Sequence, residues 1–282
     1  MGDTNQYILK LSCENRPGIV AAISNEIAQN DGDILECQQF DDMETGRFLM
    51  RLRFSTSIIE KMTAALAPAF ERFKITAELT PKSEKQNVLI MVSKMDHCMN
   101  DLLYRWNKDN LNMNVVGIVS NHETTRPLAE RYGLSYDVLP VTKENKAEQE
   151  EKLLKIAEEK KVDLVILARY MQILSDELSK RLYGKVINIH HSFLPSFKGA
   201  RPYHQAHRRG VKLVGATAHY VTPDLDEGPI IEQEVARVKH SDTAEELVRM
   251  GRDTECRVLA RAVRWHLEGR VFLNGDKTVI FT

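Results

Sequence analysis

The 282-residue sequence lacks paired cysteines, long apolar runs and an excess of either charge. No stretch approaches the roughly 18 apolar residues that span a bilayer, and no basic segment followed by an apolar one opens the chain. The absence of closely spaced cysteines excludes a zinc knuckle or a redox motif and is typical of reduced thiols. The four cysteines are far apart: Cys13, Cys37, Cys98 and Cys256. We therefore expect a cytoplasmic protein with no membrane partner.

The charge balance gives no attraction toward nucleic acid. Lys and Arg total 39 against 40 for Asp and Glu, which leaves a net charge of -1. Hydrophobic residues make up 43% and charged residues 28%, so the chain can bury a core and does not have the composition of a disordered protein. The charge balance therefore predicts no nucleic-acid partner. At roughly 150 residues per domain, the length predicts two domains.

Closely spaced glycines are missing as well. No Gly-x-Gly occurs anywhere, and the segment Ser93–His97, which follows an apolar strand, contains no glycine. A dinucleotide site needs such glycines where the backbone approaches a pyrophosphate, so NAD and FAD are not expected. Gly210 and Gly215 have the spacing of a P-loop, but Ala216-Thr217 follows where Lys-Ser/Thr is required.

Residues 1–82 show the order of a split β-α-β-β-α-β unit. Ile19, Ile23 and Ile27 recur at helical spacing after a Pro-Gly turn, and residues 48–54 alternate with the period of a strand that buries one face. This order predicts a ferredoxin-like α/β domain.

The pattern changes after the polar segment 83–86, which we interpret as a linker. Residues 87–282 contain continuous apolar strands, including 164–168 and 186–190, with helical segments between them. Such strands predict an open, mostly parallel sheet with helices on both faces, and hence a second α/β domain.

Chemically useful side chains gather at one strand end of the second domain. Asn188 and His190 are two residues apart and share a face of the strand, roughly 6.5 Å from each other. Farther along, Asp226 lies in an acidic loop, 222–229, bracketed by Pro and Gly. Asn, His and Asp together can polarise a carbonyl, stabilise its oxyanion and move a proton, with no nucleophilic Ser or Cys.

Simpler interpretations remain open at this point. The Asn-His pair could cap the following turn, or His190 and His191 could join His204 and His207 in a zinc site, although no established ligand spacing occurs. The other histidines are isolated in sequence, and surface or core roles suit them as well as a site role: His97, His122, His219, His240 and His266.

These residues resemble a known family. Asn188–His190 leading into Leu194–Gly199, with Asp226 before Gly228, resembles the formyltransferase domain that uses 10-formyltetrahydrofolate, and Leu167–Ser175 resembles its folate-contacting loop. The first domain resembles an ACT domain, with its Arg-Pro-Gly turn and Gly32 at the expected places. The combination is similar to the formyltetrahydrofolate deformylases.

The resemblance implies hydrolysis of 10-formyltetrahydrofolate to formate and tetrahydrofolate, which would supply formate for purine synthesis and balance the one-carbon pool. Asn188 and His190 would bind the formyl oxygen, and Asp226 would orient water and relay its proton. No metal or other cofactor is implied. The pterin pocket would be lined, mostly through backbone groups, by Leu167, Gln172, Ile173, Leu174, Val221 and Asp224.

For the ACT-like domain, the resemblance implies an amino-acid effector, glycine or methionine, and a homo-oligomer such as a dimer or tetramer. The effector would bind at Asn15, Arg16, Pro17 and Gly18. Related transferases that act on glycinamide ribonucleotide carry a glycine-rich phosphate loop where this chain has Ser93–His97, which favours water as the attacking group. Competing hypotheses are a formyltransferase with another acceptor, a metal-dependent hydrolase, and an amino-acid sensor that binds folate without turnover.

Overall fold

The computed structural model describes residues 5–194 and 202–282. It divides into two compact units: the first runs to Glu84 and includes Glu268–Phe272 and Ile280–Thr282, and the second holds Lys85–Leu267 and Leu273–Val279. The sequence prediction places all of residues 87–282 in the second domain, whereas the structure groups two short C-terminal pieces with the first unit.

The first unit contains a four-stranded antiparallel sheet in the order β2-β3-β1-β4, with two helices. This is the predicted ferredoxin-like fold, and the prediction is confirmed. Its elements are β1 (Asn5–Glu14), α1 (Ile19–Gln29), β2 (Asp33–Asp42), β3 (Arg47–Thr56), α2 (Ile59–Phe73) and β4 (Thr76–Pro81).

One face of this sheet forms the apolar core of the unit. Alternate residues of β1 and β3 point into it and meet the helix residues Ile19, Ile23 and Ile27, which lie one turn apart on α1. The period of two along the strands and of about four along the helix therefore produces a single buried layer.

The other face is polar in sequence but is partly buried by the C-terminal piece of the same unit. Arg51 is only 2% exposed; its guanidinium bonds to Glu36 Oε1 at 2.9 Å and donates to the backbone carbonyl of Glu268 at 2.9 Å. Arg270 reaches the same Glu36 oxygen at 3.0 Å. A buried charge is stable only when it is paired in this way, so Arg51 fixes the C-terminal piece to the sheet.

Truncation of Arg51 tests that interpretation. We expect Arg51→Ala to destabilise the first unit by about 3 kcal/mol, because it removes a buried guanidinium with its packing and takes away the donor that the Glu268 carbonyl accepts from. Arg53→Ala is the matched control: Arg53 also contacts Glu36 but its side chain is 28% exposed, so about 1 kcal/mol or less is expected. Equal losses in denaturant titrations of the two variants would contradict the assignment.

The second unit is built on a seven-stranded sheet in the order β11-β10-β9-β8-β5-β6-β7. The strands β5 to β9 run parallel, and β10 and β11 are antiparallel to their neighbours. The elements are β5 (Gln86–Val92), α3 (His97–Asn107), β6 (Met113–Ser120), α4 (Arg126–Arg131), β7 (Tyr136–Val138), α5 (Lys146–Glu159), β8 (Leu164–Leu167), α6 (Asp176–Arg181), β9 (Val186–His190), α7 (Pro202–Arg209), β10 (Leu213–Tyr220), β11 (Ile230–Arg237) and α8 (Ala244–Leu267).

The strand order reverses between β5 and β8. From β5 the chain proceeds outward through β6 and β7, then returns to the other side of β5 and continues through β8 and β9. Open α/β sheets bind ligands beyond the carboxyl ends of the strands at such a switch point. The predicted mostly parallel α/β sheet is confirmed, and its topology places the end of β9 one strand beyond this point.

The chain closes with a two-stranded hairpin, β12 (Val271–Asn274) and β13 (Lys277–Ile280). Among the helices of the described residues, none has both the length and the apolar character needed to cross a membrane.

Candidate functional site

Asn188 and His219 face each other across two neighbouring strands. The register of β9 and β10 places Asn188 directly opposite His219, and Asn188 Nδ2 lies 3.2 Å from His219 Nε2. His219 Nδ1 lies 2.8 Å from the backbone carbonyl of Tyr220, which can only accept, so Nδ1 carries the proton. In the neutral ring Nε2 is then an acceptor, and it fixes the amide of Asn188 with its NH₂ group toward the histidine.

His190 and Asp226 form the second pair of the site. His190 Nδ1 lies 3.2 Å from Asp226 Oδ1, and both side chains are largely buried. A carboxylate only accepts, so His190 Nδ1 carries the proton in this contact. His190 Nε2 is buried and has no hydrogen-bond partner among the described residues.

The loop that carries Asp226 bends back over the sheet. Because β10 runs antiparallel to β9, the loop begins beside the start of β9, where the Val221 N–H donates to the carbonyl of Val186 at 3.0 Å. Asp226 has a positive φ of 59°, a conformation that Asp tolerates better than most residues. A Cβ on Gly228 would overlap the carbonyl oxygen of Tyr220, so only glycine permits this return.

The environment of Asp226 keeps its carboxyl group ionised. Burial by itself raises the pKa of a carboxyl group, but the imidazoles of His190 and His219 outweigh that effect and hold the pKa of Asp226 well below its usual range. The His219 ring is farther away than His190, with Nε2 at 3.7 Å from Asp226 Oδ1. The site therefore combines a fixed negative charge with an imidazole and an oriented amide.

The structure brings together the three residues that the sequence singles out, Asn188, His190 and Asp226, and adds His219 to them. His219 is isolated in sequence, but in the structure its ring lies next to the side chains of Asn188 and Asp226. Its distance from Asn188 in sequence is large, and only the antiparallel pairing of β10 with β9 reveals that the two side chains are opposite each other.

A cleft lies at the ends of β5 and β8 and is lined on one side by α5. It includes three residues of the predicted pterin pocket, Gln172, Ile173 and Leu174. Leu167 and Val221 belong to the apolar cluster that also contains Leu174. Asp224 is exposed in its loop, where its carbonyl accepts from Thr222 Oγ1 at 3.1 Å. Their contact with a pterin stays a prediction.

Potential metal donors form one group of three among residues 5–194 and 202–282, and it is not the predicted alternative built on His204 and His207. The group is His97, Cys98 and Glu255, and its carboxylate already contacts His97 at 2.7 Å. A hydrogen bond with Cys256 and burial raise the pKa of the Cys98 thiol well above its usual value. The Pro195–Gly199 part of the recognised motif lies outside the described residues.

The predicted effector residues lie in the turn that leads into α1. The Asn15 side-chain amide donates to Asp41 Oδ2 at 2.5 Å, and the Asn15 N–H donates to the carbonyl of Gly46 at 2.9 Å. Arg16 pairs with Glu14 at 2.6 Å. Pro17 and Gly18 complete the turn, and Gly18 has a φ of 95°. All four predicted residues are exposed, which leaves the turn open to a small ligand.

Comparison with known proteins identifies relatives over the whole chain. The formyl transferase family model matches residues 86–263. The chain is 47% identical to a formyltetrahydrofolate deformylase of Corynebacterium sp. (strain P-1), with 99% of both chains covered. The crystal structure of a formyltetrahydrofolate deformylase from Burkholderia mallei has a TM-score of 0.95 at 50% identity and covers 99% of this chain and 100% of its own.

A more distant similarity is confined to part of the chain. Glycinamide ribonucleotide transformylase 1 from Symbiobacterium toebii has a TM-score of 0.65 at 28% identity, with 70% of this chain and 95% of the other covered.

The buried position of His191, next to His190 in sequence, predicts a measurable pH dependence of the stability of the protein. Burial, together with the positive charge of Arg169, lowers the pKa of His191 to about 4. The unfolded chain therefore takes up this proton at a higher pH than the folded one, and stability falls as the pH drops from about 6.5 toward 4. Between pH 7 and pH 5 we expect a loss of about 2 kcal/mol from this residue.

In His191→Asn that part of the loss should disappear, so the melting temperatures at the two pH values should lie closer together than in the wild type. The surface variant His240→Asn serves as the control and should follow the wild type. If His191→Asn shows the full wild-type pH dependence, the assignment of the shift to His191 is wrong.

Proposed function

The chain belongs to the formyltetrahydrofolate deformylase family. From this premise we propose that Asn188, His190 and Asp226 hydrolyse 10-formyltetrahydrofolate to formate and tetrahydrofolate. The observation that supports these roles most strongly is the contact of His190 Nδ1 with the ionised Asp226, beside an amide whose NH₂ group is oriented by His219.

The first requirement of the reaction is a site for the formyl oxygen. One N–H of the Asn188 amide is engaged by His219, which leaves the other free to donate to that oxygen. His190 in its protonated form donates from Nε2, while Asp226 stabilises the imidazolium through Nδ1. Two donors directed at one oxygen stabilise the negative charge that develops there when the carbonyl is attacked.

The second requirement is a proton path from water to the leaving nitrogen. The water oxygen bonds to the formyl carbon as Asp226 orients the water and takes up its proton. The tetrahedral intermediate then collapses, the bond between carbon and N10 breaks, and the proton passes to N10. The products are formate and tetrahydrofolate, and no metal or other cofactor takes part in these steps.

The folate is proposed to occupy the cleft beside β8. Gln172, Ile173 and Leu174 line it and follow directly from the strand that neighbours β9, so a pterin held there presents its one-carbon unit toward Asn188. Leu167, Val221 and Asp224 are proposed to complete the pocket. In the cell, the released formate would supply purine synthesis and balance the one-carbon pool.

Substitution of the proposed residues tests their roles. Formate release from 10-formyltetrahydrofolate with no acceptor present should fall by about 10²–10³ in Asn188→Ala, because one oxyanion donor is lost, and should nearly vanish in His190→Ala and Asp226→Ala. Glu227→Gln in the same loop is the matched control and should keep wild-type turnover. Wild-type turnover in a folded His190→Ala or Asp226→Ala variant would refute the assignment, and formation of a formylated product only with an added acceptor would make the protein a transferase.

The proposed action of His219 through Asn188 predicts a coupled pair. His219→Ala should lower kcat by about tenfold or more, since the amide loses its fixed orientation, with little change in KM. The double variant Asn188→Ala, His219→Ala should lose less than the product of the two single effects, because the two side chains act as one unit. Multiplicative losses would show that His219 acts independently of Asn188.

For the first unit we propose an ACT domain that binds glycine or methionine at the exposed turn from Asn15 to Gly18, within a homo-oligomer of this chain. Calorimetric titration with each amino acid should show heat for one of them, accompanied by a change in the rate of formate release. Asn15→Ala should weaken that heat, because it removes the bond that fixes the turn to Asp41. No heat and no change in rate with either amino acid would contradict the effector proposal.

A further inference from the structure

A group of charged and polar side chains that shares no residue with the proposed reaction site is buried around Glu255 on α8. One Glu255 oxygen lies 2.7 Å from His97 Nε2 and 3.4 Å from Arg169 Nε, and the other accepts from the Tyr203 hydroxyl at 2.7 Å. Glu255, Arg169 and Tyr203 are each less than a tenth exposed. We call these four residues the switch-point cluster.

The cluster lies where the strand order reverses. Arg169 follows β8 and His97 follows β5, the two strands that flank the switch point. The ends of these strands are bonded to each other, since the Ser93 N–H donates to the carbonyl of Arg169 at 3.3 Å and Ser93 Oγ accepts from the Met171 N–H at 2.9 Å. On the side of α8, the crevice in which doubly wound folds bind ligands is thus occupied here by protein.

The cluster is also next to the proposed reaction site. Leu167, the last residue of β8, pairs with Asn188 of β9. Arg169 and His190 each follow two residues later, Arg169 just beyond β8 and His190 at the end of β9. The ring centroid of His191 lies 4.9 Å from that of His190, and the positive charge of Arg169 contributes to the lowered pKa of His191. Asp226 and His219 flank the site on the β10 side, and the switch-point cluster flanks it on the β8 and β5 side.

Two features show that the cluster is closely packed. Tyr203 lies directly against Gly251 of α8, where even a methyl group would overlap the phenol ring. Arg169 has a φ of 64°, a conformation uncommon for any residue with a long side chain and natural for glycine. The backbone at this position favours glycine, yet the position carries a buried guanidinium that contacts Glu255.

We propose that Arg169, held by Glu255 together with His97, is a specificity-determining residue that fills the acceptor side of the site and restricts the attacking group to water. This inference rests on the proposed hydrolysis, and it identifies Arg169 as the residue that prevents transfer of the formyl group to an amine. A primary amine that reached the formyl carbon would form a new C–N bond, the bond to N10 would break, and the proton lost by the amine would end on N10. That reaction needs room for a second substrate, which the cluster occupies.

Arg169→Gly tests this directly, because glycine suits the backbone conformation while the guanidinium is removed. The products of 10-formyltetrahydrofolate would be measured with and without added glycinamide, after subtraction of the uncatalysed reaction. The wild type should give formate with only a trace of N-formylglycinamide, and the variant should raise the fraction of N-formylglycinamide by about tenfold or more. His97→Ala opens the same region from β5 and should act in the same direction.

The matched control is Lys161→Gly, which also replaces a residue of positive φ, 49°, but one that is exposed and lies just after the end of α5. It should leave the products unchanged. A higher amine fraction in either cluster variant supports the proposal, and wild-type products from both folded variants would overturn it. Formate release by the wild type without amine tests the proposed function separately, so the two failures are distinguishable.

Discussion

The contact between Asp226 and His190 is the interaction on which the proposed chemistry of the second unit depends. The carboxylate at 3.2 Å fixes the proton of the imidazole on Nδ1 and stays ionised because two histidines surround it. Nε2 is then the nitrogen that remains for substrate, buried and without a partner among the described residues. In the proposed reaction, this ion pair determines which ring nitrogen faces the substrate, and it stabilises the positive charge of the ring when the oxyanion forms.

Two features of the fold make this site possible. The antiparallel strand β10 places His219 opposite Asn188, and the glycine at position 228 allows the loop to return until Asp226 reaches His190. On the other side, the switch point between β5 and β8 provides an open cleft toward α5 and the buried cluster around Glu255 on α8. One side of the site thus has the cleft that is proposed to hold the folate, and the other is occupied by protein.

Much of this arrangement follows from local sequence patterns. The alternation along β3 and the four-residue spacing on α1 predict the first unit, and the apolar strands predict the second sheet, with β9 at residues 186–190 as expected. The pair Asn188 and His190 is visible because two positions on one strand share a face. The roles of His219 and of the switch-point cluster are not visible in the sequence. They depend on strand pairing between distant segments and on a helix that supplies Glu255. The burial of Arg51 likewise depends on the C-terminal piece, which no local pattern connects with β3.

The most direct test of the account is the protonation state of the His190 ring, observed by ¹⁵N nuclear magnetic resonance of enzyme labelled in its histidine side chains. The His190 signals would be assigned from their loss in a His190 variant. The account predicts that Nδ1 carries a proton in the free enzyme at neutral pH, and that this preference is lost in Asp226→Ala. A wild-type spectrum with His190 protonated on Nε2 alone would contradict it.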